Sequence, residues 1–141
     1  MQKKLKRDND LHDKRRIFHF TNGTDYAKLA NSAFLMGAFM VVLLQMDAAQ
    51  AYNKFKAYHS IIRPYRDASR GDCSYKCTIL HCLEGLQKAV QSGWYDFKTF
   101  NVREYEYYAQ YGHGDLSWII PGKFLAFLGP VDYVGRSIFS K

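Results

Sequence analysis

The sequence predicts a helix-rich α/β domain, and three observations lead there. A nearly continuous apolar stretch from Ala33 to Leu44 follows a helix start. The residues Tyr75, Ile79, Cys82, Leu83, Leu86 and Val90 recur at three- and four-residue steps, the spacing of one helix face. Short extended segments such as Leu116 to Ile120 are punctuated by Pro and Gly. With 141 residues and 48% hydrophobic content, the chain suits one packed domain, or part of one, rather than a disordered tail.

Taken in order, Arg16 to Phe20 reads as a short strand and Thr21-Asn22-Gly23-Thr24 as a turn. A long helix follows from about Asp25 to Gln45. It is apolar nearly all round from Ala33 onward, which predicts burial at the centre of the domain. Asp47 with Gln50 reads as a capping box for a helix running to about Tyr58. Pro64 disfavours helix in the residue before it, so Ile61 to Arg66 is expected to be extended, and Asp67 to Asp72 is a polar loop. The helix bearing Cys82 comes next, with Asp72 or Ser74 as its cap, Gly93 after Ser92 as its stop and no strand before the cysteine. Trp94 to Phe100 is an aromatic connector. Asn101 with Glu104 makes a second capping box, opening a short helix through Tyr108 that stops before Gly112. Leu116 to Ile120 and Lys123 to Leu128 are extended, separated by Pro121-Gly122. There is no internal repeat or low-complexity tract.

Composition excludes several classes. The run from Ala33 to Leu44 is too short to span a bilayer. Lys3, Lys4, Lys6 and Arg7 are followed by polar residues rather than by the apolar stretch of a signal peptide. An intracellular, soluble chain with no membrane partner is the expectation. Three cysteines without secretion signals favour reduced thiols. The net charge of +7 is concentrated in residues 1–16, where Asp8, Asp10 and Asp13 interleave the cations. No nucleic-acid motif accompanies it, so a solvated start is favoured over nucleic-acid binding.

One motif carries chemistry. His81-Cys82-Leu83-Glu84-Gly85-Leu86-Gln87-Lys88 matches the His-Cys-x-x-Gly-x-x-Arg loop of cysteine-dependent phosphatases except at its end, where Lys88 replaces the arginine. Such a loop lowers the pKa of its thiol with backbone N–H groups at a helix N-terminus, which also hold the phosphate. Lysine's point charge cannot clamp phosphoryl oxygens bidentately as arginine does. The helical spacing puts Cys82 inside a helix, so it reads as a small buried apolar residue. Cys73, Cys77, His81 and Cys82 superficially resemble a zinc cluster, but no second ligand pair follows at a usual spacing. No metal or cofactor is expected.

Three further segments go beyond periodicity. They are His19-Phe20-Thr21 with Ala30-Asn31-Ser32-Ala33-Phe34-Leu35-Met36-Gly37, then Arg66-Asp67-Ala68-Ser69 with Cys73, and finally Trp118 to Phe127 before Gly129-Pro130. From about Lys3 to Pro130 the chain resembles the N-terminal half of the mitotic-exit dual-specificity phosphatases, the cell-division-cycle-fourteen family. The resemblance implies a partial dual-specificity-phosphatase-like α/β fold over residues 1–130 that lacks its opening strands, with residues 131–141 an unmatched tail. It implies a catalytic domain as partner, not contained in this chain, and phosphoproteins with Ser-Pro sites as substrates. It implies residence in the nucleus and cytoplasm. It also implies a vestigial catalytic loop, in which His19 and Gly23 keep framework positions while Phe20 stands at the nucleophile's position and Tyr26 at the arginine's. Glu106 and Asp115 match acidic positions of a groove that receives a basic residue downstream of the phosphoserine, with Asp67 and Glu104 as weaker candidates. Ala109 stands where family members often carry another glutamate.

Three functions follow as expectations. The leading one is a non-catalytic phosphatase domain that recognises substrate and supports a catalytic domain, inactive alone. The second is an active phosphatase using Cys82. The third is a basic binding module acting through residues 1–16. Apolar surface exposed around Trp118 to Phe127 is expected to favour self-association.

Overall fold

The long helix, α1 (Tyr26–Leu43), starts at Asp25, whose carboxylate accepts the Lys28 N–H at 3.1 Å and satisfies one of the orphan donors of the first turn. The computed structural model to which it belongs describes residues 18–66 and 71–129. Within these, Phe18 to Phe20 lie outside any strand, so the described part of the strand expected over Arg16 to Phe20 does not form. The basic run of residues 1–16, Asp67 and the tail 131–141 lie outside the described residues.

α1 buries only the face carrying Ala30, Ala33, Gly37 and Val41. Leu35 on the opposite side stays exposed, which corrects the expectation that the helix is enclosed all round. The small residues explain this: they let α1 approach its neighbours closely along one stripe, while no other described element covers the rest. The helix extends beyond the apolar run and, at 18 residues, is long and apolar enough to cross a membrane by length and composition, a test that core helices also pass.

α2 (Ala48–Asn53) is shorter than expected and gives way to a 3₁₀ turn at Lys56–Tyr58. Asp47 caps it, accepting from the Ala49 and Gln50 N–H groups at 2.9 and 3.3 Å. A side chain from far along the chain also serves this helix start, at a different N–H from the one a Gln50 capping box would use. The Ala48 N–H donates to Gln87 Oε1 at 2.8 Å, and Gln87 Nε2 reaches Asp47 Oδ2 at 3.4 Å.

Between α2 and the next helix, two-residue strands β1 (Tyr65–Arg66) and β2 (Lys76–Cys77) pair antiparallel, with Tyr65 opposite Cys77. A strand therefore does precede Cys82, contrary to the sequence reading. α3 (Ile79–Gln91) is capped by Thr78 rather than by Asp72 or Ser74: Thr78 Oγ1 accepts the His81 N–H, and the Thr78 N–H donates to His81 Nδ1, which closes a capping box. It ends at Ser92, and Gly93 follows with φ +69°, the left-handed conformation that glycine adopts without a Cβ penalty.

The core is where α1, α2 and α3 meet. Ile79 and Leu83 of α3 are fully buried against Ala30 and Val41 of α1 and Ala48 and Ala51 of α2. Gly37 makes this possible, because a Cβ there would lie 2.7 Å from Leu83 Cδ1 and 2.8 Å from Cδ2. Phe34, Met40, Met46, Tyr52, Ile62 and Tyr65 pack around it half-buried.

From Trp94 onward no described residue is buried. α4 (Val102–Tyr108) is capped by Asn101, whose Oδ1 accepts the Glu104 N–H while its Nδ2 donates to Glu104 Oε2. A 3₁₀ turn at Tyr111–His113 leads to a hairpin of β3 (Ser117–Ile120) and β4 (Phe124–Ala126), which turns through Pro121-Gly122 with a bulge between Trp118 and Ile120. The expected apolar exposure is present: Trp118, Ile119, Phe124 and Phe127 are all more than half exposed.

Candidate functional site

The loop that the resemblance marks as vestigial occupies 19–26, at the N-terminus of α1. His19 Nε2 sits 2.5 Å from Ser32 Oγ, tying the loop to the second turn of the helix. Asn22 Oδ1 accepts from both the backbone N–H and the hydroxyl of Thr24, an Asx turn that orders the loop. Phe20 is 92% exposed. The Tyr26 ring carries the Arg63 guanidinium at 3.6 Å from its centroid, so the nearby cation is engaged in a cation–π contact.

A phosphate at this helix end would need the free N–H groups and positive dipole of the first turn. Asp25 already fills that position. The Lys28 backbone N–H holds its carboxyl below the usual carboxylate range, assisted by the Lys28 ammonium at 3.4 Å. A fixed carboxylate there repels a dianion, and Phe20 supplies no nucleophile. The loop instead borders an apolar groove of about 430 Å³ walled by Leu29, Met36, Phe55, Tyr58 and Ile62.

Cys82 fares no better as a nucleophile. It is the fourth residue of α3, and its N–H donates to the Thr78 carbonyl at 3.1 Å, inside the helical ladder rather than toward an anion. Only Thr78 separates β2 from α3, so no cradle of free N–H groups stands between strand and helix. The Cys82 sulfur lies 3.4 Å from that of Cys77. Burial, then the neighbouring Cys77 thiol, push the Cys82 thiol up to about 11, the opposite of what a thiolate nucleophile requires. Gly85 sits mid-helix facing open space, and Lys88 lies in the last turn. The cysteines do not converge with His81 either: Cys73 Sγ donates to the Tyr75 carbonyl and His81 is committed to the cap. Among the described residues, no group of three or more His, Cys, Asp or Glu side chains is arranged to hold a metal.

The acidic candidates divide. Glu104 lines an open groove of about 450 Å³ whose walls include Trp94, Phe100, Tyr105, Tyr108 and Trp118. Glu106 and Asp115 are exposed and line neither groove. They are linked through Gln110, whose Nε2 donates to the Glu106 carbonyl and whose carbonyl accepts the Asp115 N–H. Asp115 has φ +48°, a left-handed turn conformation that Asp tolerates better than most residues. Asp67 is outside the described residues.

Sequence reasoning missed the aromatic walls of the Glu104 groove and the Arg63–Tyr26 contact. The first carried a signal, since the connector and α4 are dense in Trp, Phe and Tyr. The second had none, because the partners stand 37 positions apart.

Comparison with known proteins agrees with this assembly. Residues 1–89 match the family model described as dual specificity protein phosphatase, N-terminal half. The chain is 47% identical over 118 residues to the human dual specificity protein phosphatase CDC14A, covering 83% of this chain and 20% of that protein. It is 44% identical over 130 residues to mouse dual specificity protein phosphatase CDC14B, covering 92% and 26% respectively. It is 38% identical over 117 residues to the Caenorhabditis elegans tyrosine-protein phosphatase cdc-14, covering 81% and 16%. The chain thus spans about a quarter or less of the length of these relatives. With the match running through the loop at 19–26 and the three-helix core, the chain belongs to the dual-specificity phosphatase N-terminal-half family and corresponds to the N-terminal part of its CDC14 members.

Proposed function

We propose that this chain is a non-catalytic substrate-recognition domain of a dual-specificity phosphatase, which packs on a catalytic domain and contributes to a groove for phosphoserine-proline substrates. The observation that carries the proposal is double. On the family resemblance Phe20 takes the nucleophile's position in the loop, and the one cysteine in a phosphatase-like motif lies inside a helix with its thiol pushed up to about 11. The exposed aromatic and aliphatic residues from Trp94 to Phe127 support packing against another domain. Glu104 in its aromatic groove, with Glu106 and Asp115 nearby in sequence, supports attraction to a basic residue downstream of the phosphoserine. On this reading residues 1–130 form the domain and 131–141 a separate tail, acting in nucleus and cytoplasm during mitotic exit.

The purified chain, mixed with a phosphoserine-proline peptide carrying a downstream lysine, should release no phosphate. It should bind that peptide, and binding should weaken when the lysine becomes glutamate or when Glu106→Gln and Asp115→Asn are combined. Turnover that disappears in Cys82→Ser would overturn the proposal and restore Cys82 as nucleophile. Binding that survives both charge changes but is lost on deleting residues 1–16 would move recognition to the basic start of the chain. Sedimentation at increasing concentration tests the self-association proposed for the exposed apolar surface; a clean monomer throughout would refute it.

A further inference from the structure

The Cys77 and Cys82 sulfurs are 3.4 Å apart, both half-buried and both free. A disulfide needs about 2.05 Å, so closure requires the sulfurs to move together by little more than an ångström. The two residues frame a rigid junction. Cys77 ends β2, Thr78 caps α3 through its box with His81, and Cys82 stands on the first turn of that helix. Cys73, the remaining cysteine, is turned away and donates to the Tyr75 carbonyl at 3.0 Å. The arrangement serves no phosphatase chemistry, yet it holds two thiols in near-bonding contact at a partly accessible site.

We infer that Cys77 and Cys82 form a redox modification site, a dithiol that small disulfides of the glutathione type oxidise reversibly to an intrachain disulfide. Intracellular disulfides of this kind are transient, and small thiol reductants reverse them. Cys77 is the attacking sulfur and Cys82 the resolving one, since burial and the adjacent Cys77 sulfur hold the Cys82 proton more tightly than in a free thiol. The Cys77 thiolate attacks one sulfur of glutathione disulfide, forming a mixed disulfide and expelling one glutathione thiolate. Cys82 gives up its proton to that thiolate and attacks the Cys77 sulfur, and the second glutathione leaves. Two protein thiols are oxidised, and one glutathione disulfide is reduced to two thiols. The product staples β2 to α3 behind the rung that pairs Cys77 with Tyr65, whose hydroxyl bonds Asn31 on α1 at 2.8 Å.

The test uses the whole chain equilibrated in glutathione buffers of graded ratio, quenched in acid, alkylated with N-ethylmaleimide and digested with trypsin. Cleavage after Lys76 and Lys88 places both cysteines on peptide 77–88 and Cys73 on peptide 71–76. The expected result is conversion of peptide 77–88 from doubly alkylated to unalkylated and two hydrogens lighter, restored by dithiothreitol. The native chain should reach half-oxidation at a glutathione ratio roughly tenfold or more reducing than the urea-unfolded chain, because folding holds the sulfurs together. Cys82→Ser should stop at a glutathione adduct on Cys77, while Cys73→Ser should oxidise like the parent. Peptide 77–88 doubly alkylated at every ratio, pairing of Cys73 with either partner, or no difference between native and unfolded chain would each overturn the inference.

Discussion

Placing a methyl group at Gly37 tests whether α1 and α3 are as close as they stand. On an open helix, Gly→Ala stabilises by about 1 kcal/mol through backbone propensity. Here the new Cβ would meet two Leu83 methyl carbons at 2.7 and 2.8 Å, well inside the roughly 3.5–4.0 Å optimum for carbon pairs. Leu83 is fully buried, so its methyls cannot swing aside without displacing other residues of the core. Overpacking of this kind costs about 1–3 kcal/mol. The balance for Gly37→Ala is therefore a net loss of about 1 kcal/mol, between roughly 0 and 2. In a Leu83→Ala background, itself weakened by about 2–5 kcal/mol, the clash is gone and the same substitution should recover about 1 kcal/mol. The assay is urea unfolding followed by far-ultraviolet circular dichroism on the four chains of the double-mutant cycle. A sign reversal with a coupling of about 1–3 kcal/mol is expected. Equal stabilisation by Gly37→Ala in both backgrounds would refute the close approach of the two helices.

Gln87→Ala should cost about 1–2 kcal/mol in the same urea assay, because it strands the half-buried Ala48 N–H at the start of α2, and Gln87→Glu should recover only part of the loss, since it restores that acceptor but sets a carboxylate against Asp47. Asn101→Ala removes the cap of α4 and should lower helicity with a loss of about 1 kcal/mol, a local change that leaves α3 amide protection intact by hydrogen exchange. Iodoacetamide labelling of Cys82, followed by mass spectrometry, should still accelerate with pH at about pH 10, as expected of a thiol near 11. The native state holds the Cys82 proton more tightly than the unfolded chain, so the stability this group contributes is intact below the ordinary thiol value of 9.0 and falls as pH rises toward 11. Urea midpoints that rise over that alkaline window in the parent but not in Cys82→Ser would contradict the sign.

Local chemistry was legible in the residues. Asp25 starts α1, Gly93 stops α3, and Asn101 caps α4, each because one side chain or one permissive backbone position meets the orphan groups of a helix end. The helical setting of Cys82 was legible too, since three- and four-residue apolar spacing has no strand equivalent. Most of what escaped depends on distance along the chain, the exception being the local Thr78 cap of α3. β1 and β2 are two residues each, too short for alternation to register, and they exist because they find one another across the polar loop. The Asp47 cap of α2 is completed by Gln87, forty positions beyond it. The one-sided burial of α1 is a property of what packs on it, which its own composition cannot state. In the candidate site, the acids were visible as residues, but only the fold sets Glu104 among aromatic rings and leaves Glu106 and Asp115 on open surface.

Every buried residue among those described falls between Ala30 and Leu83, and this divides the chain energetically. Amides of α1 and α3 can open only when the core opens, whereas those of α4 and the β3–β4 hairpin can exchange through small, local excursions. The aromatic half can therefore rearrange against a surface laid on it without drawing on the cooperativity of the first half. Contact there would be selected by the ordering entropy of exposed rings, and its effect would register first as slowed amide exchange from Trp94 to Phe127 rather than as a higher melting temperature.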